Sequence, residues 1–125
     1  VNKRDTRVVS IVDDDHSMRR SVRNLLLSLG FRVETFESAE AFLRSEHRDD
    51  TGCLILDLRM PDMNGEDLLA HLVAVGTPVP TVILTAHGDE QTRRRLLRLG
   101  IVAFLGKPFQ SHVLLEAVKS AMQTP

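Results

Sequence analysis

Tryptophan and tyrosine are missing from this 125-residue chain, and cysteine occurs once, at Cys53. A single thiol excludes a disulfide within the chain. It reads as a buried structural cysteine, which fits a reducing, cytoplasmic location. No apolar run approaches the ~20 residues of a membrane span, and residues 1–5 carry no signal-peptide core, so no membrane partner is expected. Charge of one sign is lacking as well: 16 basic residues stand against 17 acidic ones, for a formal net charge of −1. That balance supplies no global attraction to nucleic acid or to an anionic surface. Repeats, low-complexity tracts and a second composition regime are absent, so residues 1–125 are expected to form one domain. A chain of this length buries ~65–70% of the surface that its unfolded form exposes. With no initial methionine and an end just after a helix, it reads as an N-terminal fragment of a longer protein.

What the chain has instead is alternation. Apolar runs at residues 8–12, 32–36, 53–56, 79–84 and 102–105 read as strands rich in Val, Ile and Leu, as expected where both faces are covered. Helical patterns lie between them. The first covers residues 16–29 with Asp15 as N-cap and Gly30 as its end, its stripe formed by Met18, Val22, Leu25, Leu26 and Leu29. Ser38 caps a short second helix holding Ala41 and Phe42. Asn64, with Asp67 three residues on, caps a third reaching Val75. The fourth lies between Asp89 and Leu99, stopped by Gly100, and the fifth starts near Ser111. Repeated β-α alternation implies a doubly wound α/β fold: a parallel sheet with right-handed crossovers and helices on both faces.

In such a sheet every strand ends at the same edge, where ligands bind at the point of strand-order reversal. Asp13, Asp14 and Asp15 follow the first run, Asp57 the third, Thr85 the fourth and Lys107 the fifth. One strand–helix step takes ~20–30 residues, so Asp14 to Asp57 is two steps and each later gap is one. Singly, each residue has an ordinary reading: a solvated acidic turn, a threonine closing a strand, a surface lysine. Together and in this order they describe a phosphoryl site, with a hydroxyl and an ammonium facing clustered carboxylates. Those carboxylates repel one another unless a cation sits between them, and all-oxygen ligation with few protein ligands favours Mg²⁺. Lys107 precedes Pro108, and that bond is a candidate for the cis form. The five histidines have no metal-ligand spacing.

The segments Ile11-Val12-Asp13-Asp14-Asp15, Leu56-Asp57-Leu58-Arg59-Met60-Pro61, Asn64-Gly65, Leu84-Thr85-Ala86 and Lys107-Pro108-Phe109 resemble the response-regulator receiver (CheY-like) domain of bacterial two-component systems. Gly52-Cys53, Arg59-Met60-Pro61 and His87-Gly88-Asp89 make the FixJ-type receivers the most similar group. The resemblance implies a flavodoxin-like (βα)₅ fold with strand order 2-1-3-4-5. It implies that Asp57 accepts a phosphoryl group from a phosphohistidine on a sensor histidine kinase. Asp14, Asp57 and the main-chain carbonyl of Arg59 would ligate Mg²⁺, with Asp13 acting through a water. Lys107 would pair with Asp57 and then with the phosphoryl group. Thr85 and Phe104 would form the switch, altering the face of the fourth helix, last strand and fifth helix, where phosphorylated copies would dimerise.

From their spacing, Arg59 and His87 are expected to flank the phosphoryl group and slow its hydrolysis. Such a domain is a switch and not a turnover enzyme. It would meet DNA only through an output domain lying outside this chain, with transcription as the regulated process. Two departures stand out: the basic run Arg93-Arg94-Arg95 with Arg98, and Gly106 before Lys107. A hydrolase with an aspartyl nucleophile on a similar fold is disfavoured, because Arg59 stands where such enzymes carry a second aspartate. A receiver acting only as an interaction module is disfavoured by the retention of Asp13, Asp14, Asp57, Thr85 and Lys107.

Overall fold

The computed structural model describes residues 7–86 and 88–123. Strands and helices alternate: β1 (Val8–Val12), α1 (His16–Ser28), β2 (Val33–Phe36), α2 (Ala39–Leu43), β3 (Thr51–Leu56), α3 (Gly65–Ala74), β4 (Thr81–Thr85), α4 (Glu90–Arg98), β5 (Ala103–Gly106) and α5 (Ser111–Met122). A short 3₁₀ turn, Arg48–Asp50, precedes β3; three residues carry no periodicity by which the sequence would reveal it. All strand pairs are parallel and the order is β2-β1-β3-β4-β5, as expected. No helix among the described residues is long and apolar enough to cross a membrane.

Alternation along each strand builds a core on either side of the sheet. Val9, Ile11, Cys53, Ile55, Val82 and Leu84 point to the side of α1 and α5, where Val22, Leu26, Leu114 and Val118 meet them. Val12, Leu54, Leu56 and Ile83 point the other way, onto Phe42, Leu68, Leu72 and Leu96 of α2, α3 and α4. The central strands are buried except at Thr51, the first residue of β3, while the edge strands β2 and β5 are only partly covered.

Local chemistry starts and stops the helices. Asp15, Ser38, Asn64 and Asp89 each accept a hydrogen bond from a backbone N–H three residues on, at 3.2, 3.0, 2.8 and 2.7 Å, each such cap contributing roughly 0.5–2 kcal/mol. The Asn64 N–H in turn donates to Asp67 Oδ2 at 3.2 Å, completing a capping box. Gly30, Gly76 and Gly100 follow α1, α3 and α4 with positive φ.

Several boundaries differ from expectation for physical reasons. β4 begins at Thr81, two residues late, because Pro80 has no N–H for the ladder. β3 begins early, at Thr51, which pairs with Val8 while its hydroxyl meets Ser10 Oγ at 2.8 Å. Leu29, read as part of the α1 stripe, caps the helix instead and is 43% exposed.

Candidate functional site

The strand register brings the acidic residues together. Val12 lies opposite Leu56, so Asp13 and Asp57 leave neighbouring strands side by side, and the Asp57 N–H donates to the Val12 carbonyl at 3.0 Å. Thr85 closes β4 opposite Gly106, and the Lys107 N–H donates to the Thr85 carbonyl at 2.9 Å. The Lys107–Pro108 bond is cis. Asp13, Asp14, Asp57, Thr85 and Lys107 therefore share the carboxyl edge of the sheet, next to the point where β1 sends the chain to β2 on one side and pairs with β3 on the other.

Asp13, Asp14 and Asp57 each offer a carboxylate oxygen, all within 4.8 Å of one another. Their chemistry fits a hard divalent cation: clustered hard oxygens whose mutual repulsion an ion would relieve. Asp57 shows that repulsion. Burial raises its carboxyl above the ordinary value and the Asp13 charge adds to the rise; the Lys107 ammonium and the N–H groups of Leu58 and Arg59 pull against it. The Asp57 side chain keeps 10% of its surface exposed, enough for one edge to meet a reactant.

Lys107 has a second and closer partner besides the expected Asp57. Its Nζ lies 2.9 Å from Asp13 Oδ2 and 3.9 Å from Asp57 Oδ2, so Asp13 takes the direct contact and Asp57 the longer one. Asp13 is otherwise engaged too, since its Oδ1 accepts the Asp15 N–H at 2.9 Å. Asp14 stands exposed at the rim, as does the Arg59 side chain. Phe104 is half-buried on β5, its ring lying against Gly88 so closely that a Cβ there would collide with it. His87 lies outside the described residues.

Two further residues support this edge: Arg19, for which the sequence offered no role, and Gly65, part of the Asn64-Gly65 motif. Arg19 Nη1 donates to the main-chain carbonyl of Asp13 at 2.7 Å, fixing the turn between β1 and α1; only its distance of six positions from Asp13, under two helical turns, hints at this. Gly65 sits where a Cβ would collide with the Asp57 carbonyl oxygen, and its N–H donates to the Leu58 carbonyl at 3.0 Å. The close approach of α3 to the β3 end thus requires glycine there.

Comparison with known proteins agrees with this geometry. The family model described as the response regulator receiver domain matches residues 9–119, and the chain belongs to that family. It is 38% identical over 116 residues to the response regulator protein TodT of Pseudomonas putida, covering 93% of this chain and 51% of that protein. It is 39% identical over 115 residues to the transcriptional regulatory protein FixJ of Rhizobium meliloti, covering 92% and 56%. The crystal structure of FixJ-N superposes with a TM-score of 0.84 at 38% identity, covering 95% of each chain. The fold is thus the flavodoxin-like fold of CheY-type receivers, and the FixJ group expected from the motifs is among its relatives. The chain spans about half the length of the curated relatives it matches.

Proposed function

We propose that this domain is a phosphorylation-dependent signalling switch in which Asp57 takes a phosphoryl group from a phosphohistidine on a sensor histidine kinase. One observation carries the reading: a reachable carboxylate at the end of a central strand, with two further carboxylates within 4.8 Å and an ammonium 3.9 Å away. An oxygen of Asp57 attacks phosphorus in line, the P–N bond breaks, and the electron pair leaves with the imidazole. Mg²⁺, held by Asp14, Asp57 and the Arg59 carbonyl, would supply charge neutralisation on the transferring oxygens. Asp13, already engaged by Lys107 and the Asp15 N–H, acts through a water. As the acyl phosphate forms, Lys107 moves from Asp13 towards the phosphoryl group and stabilises its charge.

The Thr85 hydroxyl then donates to a phosphoryl oxygen, and Phe104 turns into the space released. That rearrangement alters the face of α4, β5 and α5, a local charge change biasing a two-state element. Dimerisation through that face is the expected consequence. The acidic residues of this face are Asp89, Glu90 and Glu116; Glu90 is occupied by Arg93 and Arg94 and Asp89 by its cap, so Glu116 is the complement for a basic side chain of a second copy. Arg59, exposed beside the site, slows hydrolysis by competing for the approach of water; His87 is assigned the same role. That the relatives are a response regulator and a transcriptional regulator supports transcription as the output, through a domain outside residues 1–125.

Incubation with acetyl phosphate and Mg²⁺, read by intact mass, tests the proposal. One phosphoryl group is expected on the wild type and none on Asp57→Asn. Equal labelling of the two would overturn Asp57 as acceptor, and labelling unaffected by chelation would remove the metal from the reading.

A further inference from the structure

The arginine run on α4 is not one basic patch. Arg93 and Arg94 both bind Glu90 of their own helix, at 3.2 and 3.1 Å. Arg95 alone crosses to another element. Its Nε and Nη2 donate to Glu66 Oε2 and Oε1 of α3 at 2.9 and 3.2 Å, a two-point fork, and Nη2 also donates to Thr92 Oγ1 at 3.2 Å. A fork of this kind fixes orientation as well as distance.

Its two ends are anchored to different parts of the switch. Glu66 follows Gly65, whose Cα lies against the Asp57 carbonyl and whose N–H is bonded to Leu58. The first turn of α3 is therefore fixed to the backbone of Asp57. Arg95 belongs to the helix that follows Thr85 and the loop beneath Phe104. That helix buries only Leu96, so lateral contacts at its surface weigh heavily in its position.

We propose that the Glu66–Arg95 fork is a clasp that holds α4 in its resting place against α3 and so sets the threshold at which phosphorylation at Asp57 moves the helix. This rests on the phosphorylation reading above. A displacement of α4 by an ångström or two breaks a two-point fork into a water-separated pair, so the clasp favours the resting state over the shifted one. Whatever weakens it shifts the population towards the active state without touching the phosphoryl site. An exposed pair of good geometry moves such an equilibrium about two- to fivefold.

The test is a beryllofluoride titration of the whole chain in Mg²⁺, followed by the amide NMR signals of Arg94, Leu97 and Gly100. Glu66→Gln and Arg95→Gln are each expected to lower the half-saturating concentration about two- to fivefold. The two shifts should be in the same direction and of similar size, because both remove the same pair, although Arg95→Gln also loses the bond to Thr92. The swap of Glu66→Arg with Arg95→Glu should return the value towards wild type, and Arg95→Lys, which keeps the charge and loses the fork, should fall between. Melting curves of all variants check that each is folded. Unchanged half-saturation in both single variants, or a swap no nearer wild type than they are, would overturn the clasp. A wild type that takes up no beryllofluoride, or an Asp57→Asn protein that responds equally, would overturn the phosphoryl reading and the clasp with it.

Discussion

Helices α4 and α5 flank the same edge strand, β5, and are held in opposite ways. α5 buries Leu114, Ala117, Val118 and Ala121 in the core beneath the central strands. α4 buries Leu96 alone, leaves Leu97 43% exposed, and is otherwise held by its Asp89 cap and surface ion pairs. Apolar burial makes α5 a wall whose displacement opens cavities in a close-packed core. Caps and exposed ion pairs exchange readily for water, so α4 moves at far lower cost. The lightly held helix is the one that follows Thr85. A charge change at Asp57 therefore has a movable element within reach on one side of β5 and a rigid one on the other.

The largest effect that would break this comparison is on stability. Leu114→Ala should destabilise the domain by about 2–5 kcal/mol, and Leu97→Ala by no more than about 0.5 kcal/mol, in urea unfolding. Equal losses would mean that α4 is as deeply anchored as α5. Gly65→Ala comes next. Its methyl would meet the Asp57 carbonyl, so a loss of about 1–3 kcal/mol is expected, together with slower phosphorylation, because β3 and α3 must part. Retained stability and rate would loosen the link between acceptor and α3.

Metal dependence is smaller. At ten times its Kd, Mg²⁺ should stabilise the wild type by ~1.4 kcal/mol, and Asp14→Ala should erase that gain in thermal melts. The same gain in both proteins would remove Asp14 from the ligand set. The smallest effect is a pH dependence without metal. Because the folded state raises the Asp57 pKa, folding retains that proton, and stability falls as pH rises from the ordinary aspartate value through the raised one. Asp57→Asn should therefore be more stable than wild type at neutral pH, with the difference vanishing below the ordinary aspartate range. A mutant no more stable than wild type at neutral pH would show that neither burial nor the Asp13 charge strains the ionised Asp57.

Much of this was legible in the sequence because it depends on local chemistry or on topology. Asp15, Ser38, Asn64 with Asp67, and Asp89 are capping residues in capping positions. The convergence of Asp13, Asp14, Asp57, Thr85 and Lys107 follows once a parallel sheet is inferred, since its strand ends share one edge. What stayed hidden depends on side-chain geometry between distant elements. Lys107 reaches Asp13 more closely than Asp57, a difference of one ångström that no spacing encodes. The Glu66–Arg95 fork joins helices whose lateral offset is set by Leu69, Leu72 and Leu96 packing beneath them, and hydrophobic periodicity says nothing about it. The Arg19 contact likewise depends on where the first turn of α1 points.

Amide hydrogen exchange across α4 and α5, with and without beryllofluoride in Mg²⁺, tests the central claim most directly: that a charge change at Asp57 is read out through the lightly anchored side of β5. Altered exchange is expected along Glu90–Arg98 and little change along residues 114–121. Changes confined to α5, or equal on both helices, would contradict it.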